Sequence, residues 1–456
     1  MSECKKVKIG EFLKQYRNTI YVDDAQQYRQ VTISSKDGVK YRCTKIGKEI
    51  GRKRQFLIDL KKYPNTVIFT RQGLYEGSIG LAPEEVDGCI ATENMPMFSV
   101  DESIIDTEYL KNLLRSPIFA NLVSSLTPTG SAQKSIHERD LLPLEISIPD
   151  LQTQKKIVKE ISSQLDKTEQ LSIEIAKQKS YAKQLRQNIL QEAIEGKLTE
   201  NWRKGNPVVK GNPDFDAEAL FEKIQEEKCH TDSELLRNSK RKVFETIAEN
   251  ELPFEIPEGW KWVKLEHLAE VGTGATPLTS EKKYYENGTI PWITSSSTGN
   301  DFVSKADVFI TEIALKETNC SLNPKGTLVV AMYGQGKTRG QITELCIEAA
   351  TNQACATIKI FEKDNVVLKK YIKFVFKKMY EEIRSLAQGG TQPNLNLGKI
   401  ANTIFPLPPL AEQKEIVARV EQHLQTITQL ETQIATRETT TKQLMQSILK
   451  DAFEEK

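Results

Sequence analysis

IPDLQTQKKIVKEISSQLDKTEQLSIEIAKQKSYAKQLRQNILQEAIE, Ile148 to Glu195, returns later in the chain as LPPLAEQKEIVARVEQHLQTITQLETQIATRETTTKQLMQSILKDAFE, Leu407 to Glu454. The two stretches align without a gap at a constant offset of 259. Pro149, Leu151, Gln154, Lys155, Ile157 and Val158 fall on Pro408, Leu410, Gln413, Lys414, Ile416 and Val417. Lys183, Gln184 and Leu185 fall on Lys442, Gln443 and Leu444. Chance does not hold one register over four dozen residues. Each stretch starts after a proline and then runs over forty residues without glycine or proline. Average helices are only about 12 residues long, so this is a long helix made twice.

In both, with polar stretches in the middle, apolar residues recur at spacings of three or four. They are Val158, Ile161, Leu165, Leu171, Ile175, Leu185 and Ile189 in the first, and Val417, Val420, Leu424, Ile427, Leu430, Ile434, Leu444 and Ile448 in the second. At ~1.5 Å per residue each helix reaches about 65–70 Å. A helix with one apolar stripe needs a partner, and its own repeat is the obvious one, packed antiparallel as a coiled coil. The plainer alternative is an amphipathic helix on a domain surface.

The same offset extends upstream. Gly130 and Gln133 fall on Gly389 and Gln392, and Ala91-Thr92 falls on Ala350-Thr351. Val7-Lys8 resembles Val263-Lys264 after a small change of offset. The chain is one unit made twice. A period this long marks a duplication rather than a solenoid.

The parts before the helices carry short β-branched runs broken by glycines. Strands are expected at Asn65–Thr70 and Ile90–Ala91, then at Thr289–Thr294, Thr327–Tyr333 and Ala356–Phe361, with helices near Thr107–Ser125 and Leu368–Ala387. This is an α+β pattern of two mixed domains. The expected layout is a first domain at 1–148, a long helix at 149–197, a linker with short helices at 198–258, a second domain at 259–407 and a second long helix at 408–456.

The chain has 456 residues, 38% hydrophobic and 27% charged, with a net charge of +1. That composition suits two or three folded domains and reads as soluble. No apolar run approaches the ~20 residues of a membrane span. The start MSECKKVKIGEF lacks a hydrophobic core for export, so a cytoplasmic protein is expected. The seven cysteines show no C-x-x-C pair and no ligand-like grouping with the four histidines, so they read as reduced thiols and no metal site is expected.

The order of motifs resembles the specificity subunits of type I restriction-modification systems. The carriers are Pro149/Gln154 and Pro408/Gln413, Gly196-Lys197-Leu198-Thr199 with Trp202-Arg203, and Pro257-Glu258-Gly259-Trp260 with Trp262. The first copy departs from the family pattern. It reads Asp150-Leu151-Gln152-Thr153-Gln154 where the second keeps Pro409-Leu410-Ala411-Glu412-Gln413. The resemblance implies two target-recognition domains on double-stranded DNA, two methyltransferase subunits as partners, restriction-translocase subunits where the system cuts DNA, and no catalysis or cofactor in this chain. The alternative from the residues alone is a coiled-coil adaptor presenting two protein-binding domains.

A DNA reader needs cations for phosphates and amide, hydroxyl or guanidinium groups for base edges. Residues 29–62 hold eleven Lys/Arg against three acids. The candidates there are Lys36, Lys40, Arg42, Lys45, Arg52, Lys53 and Arg54, followed by Arg71, Gln72, Gln133 and Lys134. In the second copy they are Ser295, Ser296, Ser297, Tyr333, Lys337, Arg339 and Gln392. The loop Ala331–Thr338, AMYGQGKT, fits a relaxed nucleotide phosphate-loop pattern. A working phosphate loop must run into a helix, and the residues after it (Ile342, Leu345, Ile347) read as strand. Lys337 and Arg339 therefore suit DNA better than ATP. No amino-methyltransferase or nuclease motif is present.

Overall fold

The computed structural model describes residues 4–35, 37–126, 135–233, 247–333, 338–362, 365–387 and 395–454. It forms two compact units, Met1–Gln178 with Gln433–Lys456, and Lys179–Thr432. Each holds one mixed-sheet domain and a part of both long helices.

In the first unit, the expected strand Asn65–Thr70 is Val67–Phe69. All three of its side chains are fully buried, and successive side chains point to opposite faces of the strand. Val67 and Phe69 therefore enter one core, and Ile68 enters another. Phe98 and Met97 on the neighbouring strand divide in the same way. A four-stranded sheet runs Leu13–Tyr16, Met97–Val100, Val67–Phe69, Ile79–Leu81. A five-stranded sheet runs Thr19–Tyr21, Arg54–Leu57, Ile90–Ala91, Gln27–Ser34, Gly38–Ile46. The single helix expected near Thr107–Ser125 is two, Thr107–Leu114 and Pro117–Ser124. Pro117 cannot donate a backbone bond, and Ser116 turns extended to cap the second helix at the Phe119 amide.

The second unit repeats the plan. Leu328 and Val330 enter one core while Val329 enters another. Its sheets run Ala269–Thr273, Cys355–Ile360, Leu328–Ala331, Ile342–Leu345, Phe302–Val303, and Val308–Ile310, Ile290–Ile293, Ala349–Thr351, Leu322–Asn323. The helix Val366–Ala387 buries Leu368, Tyr371, Ile372 and Val375 against it.

A two-stranded antiparallel ribbon joins the start of each domain to its end. Val7 sits opposite Ile146 in the first, and Val263 opposite Phe405 in the second. The faint Val-Lys match near each domain start is thus the inner strand of this ribbon, with both valines buried.

The long helices are Leu151–Ile194 and Leu410–Phe453, 44 residues each. A seven-residue series runs along the buried face of each. Gln154, Ile161, Thr168, Ile175, Ala182 and Ile189 are buried along the first, and Gln413, Val420, Ile427 and Ile434 along the second. Seven-residue spacing keeps one seam facing a partner helix. Within the second unit the helices run antiparallel. Arg186 pairs with Glu431 at 2.9 Å, and further along Arg419 Nη1 donates to the Leu198 carbonyl at 3.0 Å. Ile189, Leu190, Ala193 and Ile194 share one core with Ile416, Val417, Val420 and Ile427. Within the first unit, Ile157, Val158 and Phe453 pack on the same core.

The segment expected to be a linker is folded onto the second unit. Its helix Ala217–Ser233 buries Leu220 and Ile224, and the amides of Leu410 and Ala411 donate to the Pro213 and Asp214 carbonyls. The anchor is Glu412, whose side chain is 2% exposed. It accepts from Thr199 Oγ1 at 2.6 Å, from Trp260 Nε1 at 2.7 Å and from the Arg203 guanidinium. The residues that looked like separate signatures (Thr199, Arg203 and Trp260) are one buried network around a single carboxylate.

Candidate nucleic-acid interface

In the first unit the chain leaves the strand Val67–Phe69 at Thr70-Arg71-Gln72 and meets the turn that follows Ile90–Ala91. The Arg71 amide donates to the Asn94 carbonyl at 3.0 Å, and the Ile136 amide donates to the Arg71 carbonyl at 2.9 Å. Arg71 turns its guanidinium inward. It grips Glu138 with Nε at 2.9 Å and Nη2 at 2.6 Å, and Gln15 Nε2 adds a bond at 3.0 Å. Burial resists ionisation of Glu138, yet the bonds from Arg71 and Gln15 outweigh it and hold the carboxyl below its ordinary range. The bond to Glu138 raises the Arg71 pKa in turn. Arg71 thus fastens the loop rather than offering a free cation. Gln72 beside it is exposed.

Arg52 and Arg54 lie against the same turn. Their Nη1 atoms approach the two Glu93 oxygens at 3.8 and 3.2 Å. The basic run does not form one patch, because the sheet order parts it. Gly38–Ile46, with Lys40, Arg42 and Lys45, is one edge of the five-stranded sheet. Arg54–Leu57 lies three strands away, next to the opposite edge. Lys40 is paired with Asp37 at 2.7 Å, and Lys53 with Asp24, while Arg42 is exposed and Lys45 half-buried. On that edge, Arg29 stacks over Tyr41 at 5.3 Å.

The second unit builds a matching pole. After Ala349–Thr351 comes the turn Asn352–Ala354, and the Met332 and Tyr333 amides both donate to the Ala354 carbonyl, at 2.8 and 3.4 Å. The Asn352 amide donates to Ile293, the residue just before the Thr294–Gly299 segment. Ser295, Ser296 and Ser297 lie in a 3-10 turn, with Ser296 and Thr294 hydroxyls 2.7 Å apart. Thr298 bonds the Ser295 carbonyl at 2.7 Å and Gln341 Oε1 at 3.4 Å. Tyr333 is exposed and Arg339 half-buried. Gln353 is exposed at the tip of the turn and accepts from Thr276 Oγ1. The structure therefore gathers the Ser295–Ser297, Tyr333 and Arg339 candidates.

The loop that mimics a phosphate loop joins two antiparallel strands of one sheet, Leu328–Ala331 and Ile342–Leu345. The Gly340 amide donates to the Ala331 carbonyl at 2.8 Å, closing a hairpin. No helix follows it, which removes the geometry nucleotide binding requires.

Lys36, Gln133, Lys134, Lys337 and Gln392 lie outside the described residues. Glu93, Asn94, Gln341 and Gln353 were missed in the sequence. Glu93, Asn94 and Gln353 carried a signal, because both turns directly follow the repeated Ala-Thr pair.

Among the described residues there is no grouping of His, Cys, Asp and Glu able to hold a metal ion, and no helix long and apolar enough to cross a membrane.

The chain thus consists of two mixed-sheet domains, each leading into a 44-residue helix and each carrying a polar pole. Residues 257–437 match the family model described as type I restriction modification DNA specificity domain. The chain is 32% identical over 170 residues to the MjaIX specificity subunit of Methanocaldococcus jannaschii, covering 36% of this chain and 37% of that subunit. With the EcoR124I/EcoR124II specificity subunit of Escherichia coli it shares 23% over 186 residues, covering 40% of this chain and 44% of that subunit. With the EcoDI specificity subunit of Escherichia coli it shares 24% over 361 residues, covering 78% and 71%. The chain thus spans less than half the length of the first two relatives and most of the third. A solved chain from a study of complex assembly and conformational transition of the type I R-M system has the same fold. Its TM-score is 0.59 at 18% identity, covering 99% of this chain and 97% of that one. Over these stretches the chain is similar to the specificity subunits of type I restriction-modification systems.

Proposed function

We propose that this chain is the non-catalytic DNA-reading subunit of a type I restriction-modification complex. Its two readers, residues 1–148 and 259–407, each recognise one half of a bipartite, asymmetric target in double-stranded DNA. The observation that carries this reading is the duplicated pole. In both domains the turn after the repeated Ala-Thr pair is bonded to the exit of a fully buried strand, at Arg71–Asn94 and at Tyr333–Ala354. A rigid scaffold thus presents amides, hydroxyls and guanidiniums at one end of each domain, the groups that read base edges and phosphates.

The paired helices set the distance between half-sites. Their faces away from the buried seam engage two methyltransferase subunits, and restriction-translocase subunits join when the system cuts. Base flipping and methyl transfer belong to those partners.

The test is a domain exchange. The chain with residues 1–148 replaced by those of a subunit of different specificity is assembled with methyltransferase subunits, and methylated sites are mapped. One half-site should change and the other persist. A change in both halves, or in neither, defeats the two-reader assignment.

A further inference from the structure

At the pole of the first domain one group is of the wrong sign for a phosphate surface. Glu93 puts its carboxylate between Arg52 and Arg54, and its side chain is 32% exposed. The arginines are more open still, at 71% and 48%. All three are thus presented to solvent beside the turn that carries Asn94. A carboxylate near phosphates costs affinity through like-charge repulsion. Two guanidiniums reaching it from positions 52 and 54 hold it in place while leaving part of it open. An ionised carboxylate only accepts hydrogen bonds, so the base edge it meets must donate. In the major groove cytosine presents its N4 amino donor without an adjacent acceptor. Adenine sets the N7 acceptor beside its amino group, and guanine and thymine present acceptors.

We infer that Glu93 is a specificity-determining residue of the first domain, accepting from the N4 amino group of a cytosine in its half-site and rejecting guanine and thymine there by repulsion. Arg52 and Arg54 are positioning residues for it and supply phosphate contacts on either side. The second domain lacks this device. The duplicated position is Asn352, whose Oδ1 accepts from the Ala354 amide at 3.2 Å within its own turn. The effect is therefore confined to one half-site. This inference rests on the reading of the chain as a DNA-reading subunit.

The test maps methylation by the full chain assembled with its methyltransferase subunits, on a library randomised through both half-sites. Glu93→Ala should relax one position of one half-site, with discrimination for cytosine falling about tenfold. Glu93→Gln, which can donate as well as accept, should shift the preference at that position toward adenine. Binding to unrelated duplex should hold or tighten, because a negative charge has gone. An unchanged target in both variants overturns the inference. So does a uniform loss of activity with the target intact and a lowered melting temperature, which marks a structural ion pair. If Glu93→Ala does not fold, Glu93→Gln decides, since it keeps the side chain's size and one acceptor oxygen beside the arginines. If the unaltered complex methylates no bipartite sequence, the DNA-reading assignment falls first and takes this inference with it.

Discussion

Gln154 and Gln413 make the same bond 259 positions apart: each side-chain amide donates to the carbonyl of the proline five residues earlier, at 2.8 Å. Both are fully buried at the start of a long helix. The duplication thus preserves a polar lock on the chain's entry into each helix. The locks differ in completeness. Gln154 also donates to the Ile104 carbonyl at 3.2 Å and accepts from the Asp106 amide at 2.7 Å. Gln413 Oε1 has no bonding partner among the described residues.

Removing the fuller lock should therefore cost more. Gln154→Leu strands the Asp106 amide and two carbonyls, for about 2–3 kcal/mol, whereas Gln413→Leu should cost about 1 kcal/mol or less. Urea unfolding of the two variants checks this, and equal losses contradict it.

Glu412 should be the most sensitive single residue of the central segment. Glu412→Leu leaves the Arg203 guanidinium, the Trp260 indole and the Thr199 hydroxyl without their shared acceptor, at about 3 kcal/mol or more. The expected outcome is faster protease cleavage between Gly205 and Pro213 as well as a lower melting temperature. The duplicated position is Thr153, which bonds Asp150 at the exposed helix start. Thr153→Ala should cost under about 1 kcal/mol. Matching losses at the two positions count against the clamp.

The Arg71–Glu138 pair predicts an acid response. Glu138 titrates below its ordinary 4.5 in the folded chain. Its contribution to stability is complete above that value and is lost as the pH falls through the lower folded one. The melting-temperature gap between the natural chain and Glu138→Gln should be widest near neutrality and close below about pH 4.5. A gap independent of pH rules the pair out as its source.

The seven-residue seam predicts how the helices accept insertions. Seven residues added to each helix restore the seam and lengthen it by ~10 Å, whereas four rotate it by ~40°. The seven-residue pair should fold cooperatively, and the four-residue pair should lose stability. Methylated-site mapping then tests the ruler. An active seven-residue variant that keeps the original spacer shows that the helices do not set it.

What the sequence revealed, and what it concealed, follows the range of each interaction. The duplication and the long helices were readable because periodicity is local. The seam itself was read incompletely, because Gln154, Thr168 and Ala182 are not strongly apolar and occupy it through bonding or small size. Position along the chain suggested one basic surface from Arg29 to Lys62, and strand order divided it. Arg71 looked like a DNA contact, since nothing near it in sequence announces Glu138, 67 residues away. Glu93 is not one of the cations and amides that phosphate and base-edge chemistry single out, and only the fold sets it between two arginines.

The two-stranded ribbons carry a consequence for inheritance. Each domain's entry strand, Lys5–Lys8 or Lys261–Lys264, lies hydrogen-bonded along its exit strand, Glu145–Ile148 or Ile404–Leu407. A gene segment spliced between those borders exchanges the whole domain, while the proline and glutamine that launch the helix stay in place. With the DNA-reading role proposed above, descendants of such a chain acquire new targets by recombination in one step, with no need to pass through intermediates that recognise neither the old site nor the new.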